Sequence, residues 1–286
     1  MSPAGLLGAI GNSSLWRGLS PRNKSHLAMF GCCALAFAAV LAVQVMDGRE
    51  PAAAVAIAVN AAVMLFLAWA IAREIDPDFP RSAFVAVAVA ALILLGGSEA
   101  AGASVGVLMA LRIAGRSTGR QPSLLDLVAT PILAAAFAWL PKGWIGGVAM
   151  AAALVWDTLL PQPGPRRNYI GAALTLAVTV VVTAFRGTLD AGFATNGWLG
   201  WVVGASALAA FPAIKHYIPR SRCDRSRQTI DPDRLKAARL LALGTGLVAL
   251  GVFGTKAAPL LAGVWAALIG VAFSDRLIPS ARLQSP

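Results

Sequence analysis

Apolar residues in this chain come in long blocks with almost no charge inside them, and most charged residues fall in or near the gaps between them. Ten blocks can be marked, at 27–46, 52–72, 82–97, 100–115, 124–140, 143–160, 169–185, 198–214, 236–254 and 257–273. As an α-helix, a run of about 20 apolar residues crosses the hydrocarbon core of a bilayer. The pattern therefore predicts an all-α, polytopic transmembrane helical bundle of about ten helices. Blocks 82–97 and 100–115 are short and meet at Gly96, Gly97, Ser98 and Glu99. That pair is read either as two thin spans or as a re-entrant hairpin. Residues 1–26 interleave Leu6, Leu7, Ile10, Leu15, Trp16 and Leu19 with Gly and Ser, then end on Arg17, Arg22 and Lys24. This predicts a cytoplasmic N-terminal segment lying at the interface. Residues 27–273 form one transmembrane domain, and 274–286 a cytoplasmic tail. The first block can be read as a signal peptide or an anchor; it is longer than the roughly 7–15-residue core of a signal peptide, which favours the anchor.

Charge decides the orientation. Of 24 Lys and Arg, 20 fall in alternate gaps or at the block ends facing them, and the other gaps hold Arg49, Lys142, Arg186 and Lys256, one each. A wrong helix count would break this alternation midway. The bias places both termini in the cytoplasm of a plasma (inner) membrane, multi-pass. It also explains the net charge of +11 without nucleic acid as a partner. The stretch 215–239 holds eight Lys and Arg and is expected to meet anionic lipid headgroups of the bilayer. Only 13% of residues are charged, about half the share of a soluble domain. Trp139, Trp144, Trp198 and Trp201 flank one side and Trp69 and Trp156 the other, as interfacial belts do. Trp265 falls in mid-helix and does not fit. Cys32, Cys33 and Cys223 form no C-x-x-C pair, and His26 and His216 stand far apart, so no metal motif is indicated.

A few polar positions can carry chemistry. Ile75-Asp76-Pro77-Asp78 recurs as Ile230-Asp231-Pro232-Asp233, each before a helix on the cytoplasmic side. Arg81, Ala83, Leu92, Leu95 and Gly96 find weak counterparts at Lys236, Ala238, Leu247, Leu250 and Gly251. The two copies are an even number of helices apart, so a duplication would give a weak parallel repeat. Asp at a helix N-cap followed by Pro at the first position is a strong helix start. The same carboxylates can instead hold Mg²⁺ and through it a diphosphate. On that second reading Asp76, Asp78, Asp231 and Asp233 cluster with Asp157, Arg81, Arg116 and Arg234 at the cytoplasmic face. Asp126 opens one helix as a dipole partner, and Asp157 has Arg112, Arg116 and Arg166 as possible ion-pair partners. Thr175, Thr179 and Thr183 lie on one helix face. With Asn60 they form either an intramembrane polar path or ordinary helix contacts. The pairs Gly102/Gly106, Gly143/Gly147 and Gly200/Gly204 have the spacing of close helix contacts.

Three functional classes follow. Ten helices with short loops resemble the layout of drug/metabolite permeases, which implies a small-molecule transporter. Two Asp-containing motifs on one side resemble the layout of intramembrane polyprenyl transferases. That resemblance implies a membrane enzyme acting on a lipid or prenyl diphosphate with Mg²⁺, although D-P-D is shorter than that family's D-x-x-D. The third class is a non-catalytic accessory subunit, held together by small-residue packing.

Overall fold

The computed structural model describes residues 13–15, 23–97, 99–187, 204, 218–224 and 226–277. They form a bundle of α-helices: α1 (Lys24–Met46), α2 (Pro51–Ile75), α3 (Pro80–Leu95), α4 (Gly102–Gly115), α5 (Leu124–Ala138), α6 (Trp144–Leu159), α7 (Arg167–Arg186), α8 (Pro232–Phe253), α9 (Ala257–Leu260) and α10 (Ala262–Leu277). The described residues hold no strand, only an isolated bridge between Arg222 and Thr229. The last apolar block is split into α9 and α10. Block 198–214, with Trp198, Trp201, Gly200 and Pro212, lies outside the described residues except for Gly204.

Local chemistry sets the helix ends. Pro51, Pro80 and Pro232 open helices where their missing N–H is not needed. Asn23, Glu50 and Asp231 accept the first free backbone N–H groups of α1, α2 and α8. Ser123 and Asp126 form a reciprocal capping box on α5. Gly187, with φ 64°, closes α7 in the left-handed region.

Small residues let the helices approach. A Cβ on Gly106 of α4 would fall 2.5 Å from Gly146 Cα of α6. On α10, Gly263 meets the backbone of Ala68 and Gly270 that of Ser82. Trp265 is fully buried, donates its Nε1–H to Ala257 O at 3.2 Å and covers Gly246. It is a core residue, which is why it breaks the interfacial pattern.

Four helices, α1, α2, α7 and α8, are long and apolar enough to cross a membrane. Their outward faces carry Leu35, Val45, Met46, Ile170, Val181 and Phe185, all exposed. Exposed apolar faces of this extent suggest that the bundle is embedded in a membrane. The helices α3 to α6 have 14 to 16 residues, or about 21–24 Å at 1.5 Å per residue, short of a core of about 30 Å. The two helices of the pair at 82–115 have different main neighbours. α3 packs chiefly on α2 and α10, and α4 on α6, α8 and α2. One part of the N-terminal segment also departs from expectation. Ser13, Ser14 and Leu15 do not lie at an interface but are buried against the bundle, because Asp126 and Arg112 offer their backbone better partners than lipid headgroups.

Candidate functional site

The C-terminal ends of α2, α4 and α6 and the N-terminal ends of α5, α7 and α8 meet at one end of the bundle, where most of the buried charge is collected. Asp157, near the end of α6, is fully buried. Arg116 grips it with two bonds, Nε to Oδ1 at 2.7 Å and Nη2 to Oδ2 at 2.8 Å. Arg234, in the first turn of α8, donates Nη1 to Oδ1 at 2.8 Å, and Asn168 of α7 donates to Oδ2 at 2.9 Å. The other guanidinium hydrogens go to backbone. Arg116 bonds Gln162 O, and Arg234 bonds Pro161 O, Gln162 O and Ala114 O. Arg116 ends α4 in the left-handed region, at φ 45°. Glycine is the usual occupant of such a position, and a non-glycine residue there stores strain of about 1–3 kcal/mol. The side chain explains the choice, since only an arginine fork there reaches Asp157 bidentately. Cys223 seals this region, with its thiol 3.7 Å from Arg116 O, and burial pushes that thiol above its ordinary value.

A second group is built differently. Glu74 of α2 accepts from Arg112 Nε of α4 at 3.1 Å. Arg112 Nη1 then donates to Leu15 O at 2.7 Å. Asp126 of α5, fully buried, accepts the Ser13 hydroxyl and, at 2.9 Å, the Ser14 N–H. It also serves its capping role toward Ser123. The site is therefore completed by a tripeptide 97 to 113 positions away in sequence.

The positions expected to form one carboxylate cluster are divided. Asp231 caps α8 through the N–H groups of Asp233 and Arg234. Asp76 instead terminates α2, where Arg239 Nη2 approaches it at 3.8 Å and Arg239 Nε donates to Ile75 O at 2.6 Å. Asp78 accepts the backbone N–H groups of Arg220 and Ser221 at 2.8 and 2.7 Å. Asp233 and Arg81 are exposed. The two D-P-D copies thus perform different tasks. No group of three or more metal-ligating side chains occurs among the described residues. Arg116, Asp157 and Arg234, by contrast, do come together.

Asn60 and the α7 threonines do not line a path of free hydroxyls. Asn60 donates to Glu99 O at 2.9 Å and accepts from Ala101 N at 3.1 Å, which holds the α3–α4 connection. Thr175, Thr179 and Thr183 each donate back to the carbonyl four residues earlier, at 2.7, 2.7 and 2.6 Å. Glu99 is paired with Lys142. Arg234 and Arg239, counted with the lipid-facing basic stretch, are buried, whereas Arg220, Arg222, Arg227 and Lys236 are exposed. An apolar groove of about 220 Å³ lies between α6 and α8, lined by Trp144, Val148, Trp156, Leu240 and Val248.

Residue-by-residue reading of the sequence missed Glu74, Arg239, Asn168 and the Ser13–Ser14 pair. Glu74 carried one signal, as an acid ending a long apolar helix beside Asp76. The serines carried none. No family model, curated protein or solved structure matches the chain.

Proposed function

We propose that this membrane protein is a permease for a small polar solute, seated in the plasma membrane with both termini and the charged end of the bundle in the cytoplasm. The orientation rests on the alternation of Lys and Arg between loops. The observation that carries the function is the Glu74–Arg112–Asp126 site. Buried charges are costly in a membrane protein and mark sites of use. Glu74 and Arg112 pair across helices, and the remaining bonds of Arg112 and Asp126 go to residues 13–15, outside the described helices. The site is therefore built to exchange partners.

Mg²⁺-dependent chemistry on a diphosphate has weaker support. Asp231 and Asp78 spend their carboxylates on backbone N–H groups, and Asp76 lies against Arg239. The exposed Arg220, Arg222, Arg227 and Lys236 suit anionic headgroups. Reconstitution into proteoliposomes tests the proposal, by counterflow with a panel of amino acids, short peptides, sugars and nucleosides. Saturable exchange of one class is expected. Absence of exchange, with a Mg²⁺-dependent thermal shift by prenyl diphosphate, would overturn it in favour of the enzyme. Absence of both would leave an accessory subunit.

A further inference from the structure

We infer that residues 13–15 are an internal plug and that the site beneath them recognises a dipeptide. This inference rests on the permease reading and names its substrate class. Three observations lead to it. The first is burial: Ser13 is 6% exposed, Ser14 0% and Leu15 6%. The second is that polar recognition of the plug is largely main-chain. Asp126 accepts the Ser14 N–H, and Arg112 donates to the Leu15 carbonyl. The one side-chain hydroxyl used, that of Ser13, bonds Asp126 and accepts the Leu15 N–H at 3.0 Å. The third is that the readers are buried charged groups, with Asp126 0%, Glu74 5% and Arg112 8% exposed. Glu74 holds Arg112 in place through Nε, leaving Nη1 to face the plug.

The spacing of the readers selects the ligand. The donor read by Asp126 is the nitrogen of Ser14, and the acceptor read by Arg112 is the carbonyl of the next residue. These are the two ends of one dipeptide unit, whose Cα atoms are about 3.8 Å apart. A free dipeptide presents an ammonium and a carboxylate at those positions, whereas a single amino acid is one residue too short to bridge them. Ser14 is enclosed on all sides, and Leu15 belongs to the main apolar core. The first side chain must therefore be small and the second apolar. The tethered plug acts at high effective concentration and sets the affinity of any competitor.

The probe is the dipeptide Ser-Leu, with free serine, free leucine, N-acetyl-Ser-Leu and Ser-Leu-amide as comparators. Thermal midpoints of the full chain in detergent report binding. In the variant Ser13→Ala/Ser14→Pro, whose plug lacks both groups that Asp126 reads, Ser-Leu should bind roughly tenfold or more tighter than in wild type. Ser-Leu-amide should match it. N-acetyl-Ser-Leu, whose amide N–H matches that of Ser14, should bind as well; the single amino acids should fail, and added Asp126→Asn should abolish binding. A folded plug variant that ignores Ser-Leu overturns the inference.

Should that variant not fold, a second measurement decides. With Cys32, Cys33 and Cys223 replaced by serine, Ser13→Cys is alkylated by a maleimide. Millimolar Ser-Leu should speed that reaction by displacing the plug, and an unchanged rate overturns the inference. Binding of Ser-Leu without counterflow would keep the site and remove the permease. Counterflow of another solute, indifferent to Asp126→Asn, would keep the permease and remove the dipeptide.

Discussion

Asp157 and Asp126 are both fully buried carboxylates at the same end of the bundle, but their partners differ in kind. Asp157 is held by two guanidinium groups and an amide from α4, α7 and α8. Those guanidinium groups in turn hold the turn after α6 through Pro161 O and Gln162 O. Every partner there belongs to the folded bundle. Asp126 has only its own cap within the bundle and takes its other bonds from residues 13–15. The first arrangement is a closed staple, and a ligand could enter it only by breaking helix ends apart. The second takes its remaining bonds from a segment outside the described helices. A buried ion-pair network therefore does not by itself mark a binding site. What matters is whether the partners are part of the scaffold.

Substituting Asp157 should have the largest effect. Asp157→Ala leaves Arg116 and Arg234 facing each other without a carboxylate. Removing one member of a buried pair costs about 3–5 kcal/mol. Loss of folded protein from detergent extracts, read by size exclusion and thermal unfolding, is the expected result. A variant with an unchanged midpoint would show that the staple does not hold the bundle.

Gly164→Ala sharpens the same side of the comparison. A Cβ there would collide with Asp157 Oδ2 and crowd Asn168. The carboxylate cannot swing away because Arg116 and Arg234 grip it. Overpacking of this sort costs about 1–3 kcal/mol, so the midpoint should fall, but less than for Asp157→Ala. A fall as large as that of Asp157→Ala would mean the network has no slack at all. Ser13→Ala should cost less still, about 1 kcal/mol for one hydrogen bond. It should leave the unfolding transition as cooperative as in wild type, because no helix depends on that hydroxyl. A broadened or split transition would show that the plug is part of the scaffold, and the contrast would collapse.

Much of the bundle was legible in the sequence because lipid imposes a coarse rule: apolar runs separated by charges that alternate in density. The rule reports where helices lie, not how far each one reaches, so the shortness of α4 at 14 residues was only partly visible. The staple was legible in part. Asp157 stood near an inner helix end, with Arg116 among its possible partners and Arg234 in the same expected cluster. The repeated D-P-D tetrapeptide pointed to one shared role, but Pro80 two residues after Asp78 starts α3 at a different place from its counterpart in α8. Local spacing therefore produced a cap in one copy and a helix end in the other. The plug was not legible. Its bonds join residues 97 to 113 apart, and two serines followed by a leucine have no pattern that single-sequence reading can weigh.

The smallest expected effect separates the two sites without destabilising either. With Cys32 and Cys33 replaced by serine, Cys223 is the one remaining thiol of the three. Burial raises its pKa, and only the thiolate is nucleophilic. Near pH 7.5 Cys223 should therefore be alkylated severalfold more slowly than a free thiol. Its rate should keep rising with pH past the ordinary thiol range of about 8.5, where an exposed cysteine levels off. Cys223 packs on the backbone of Arg116, not on residues 13–15. Loosening the staple by Gly164→Ala should therefore speed its alkylation and lower the pH at which the rate levels off, whereas Ser13→Ala should change neither. If Ser13→Ala accelerated Cys223 as much as Gly164→Ala did, the staple and the plugged site would open together as one unit. Residues 13–15 would then be a brace of the fold rather than a plug.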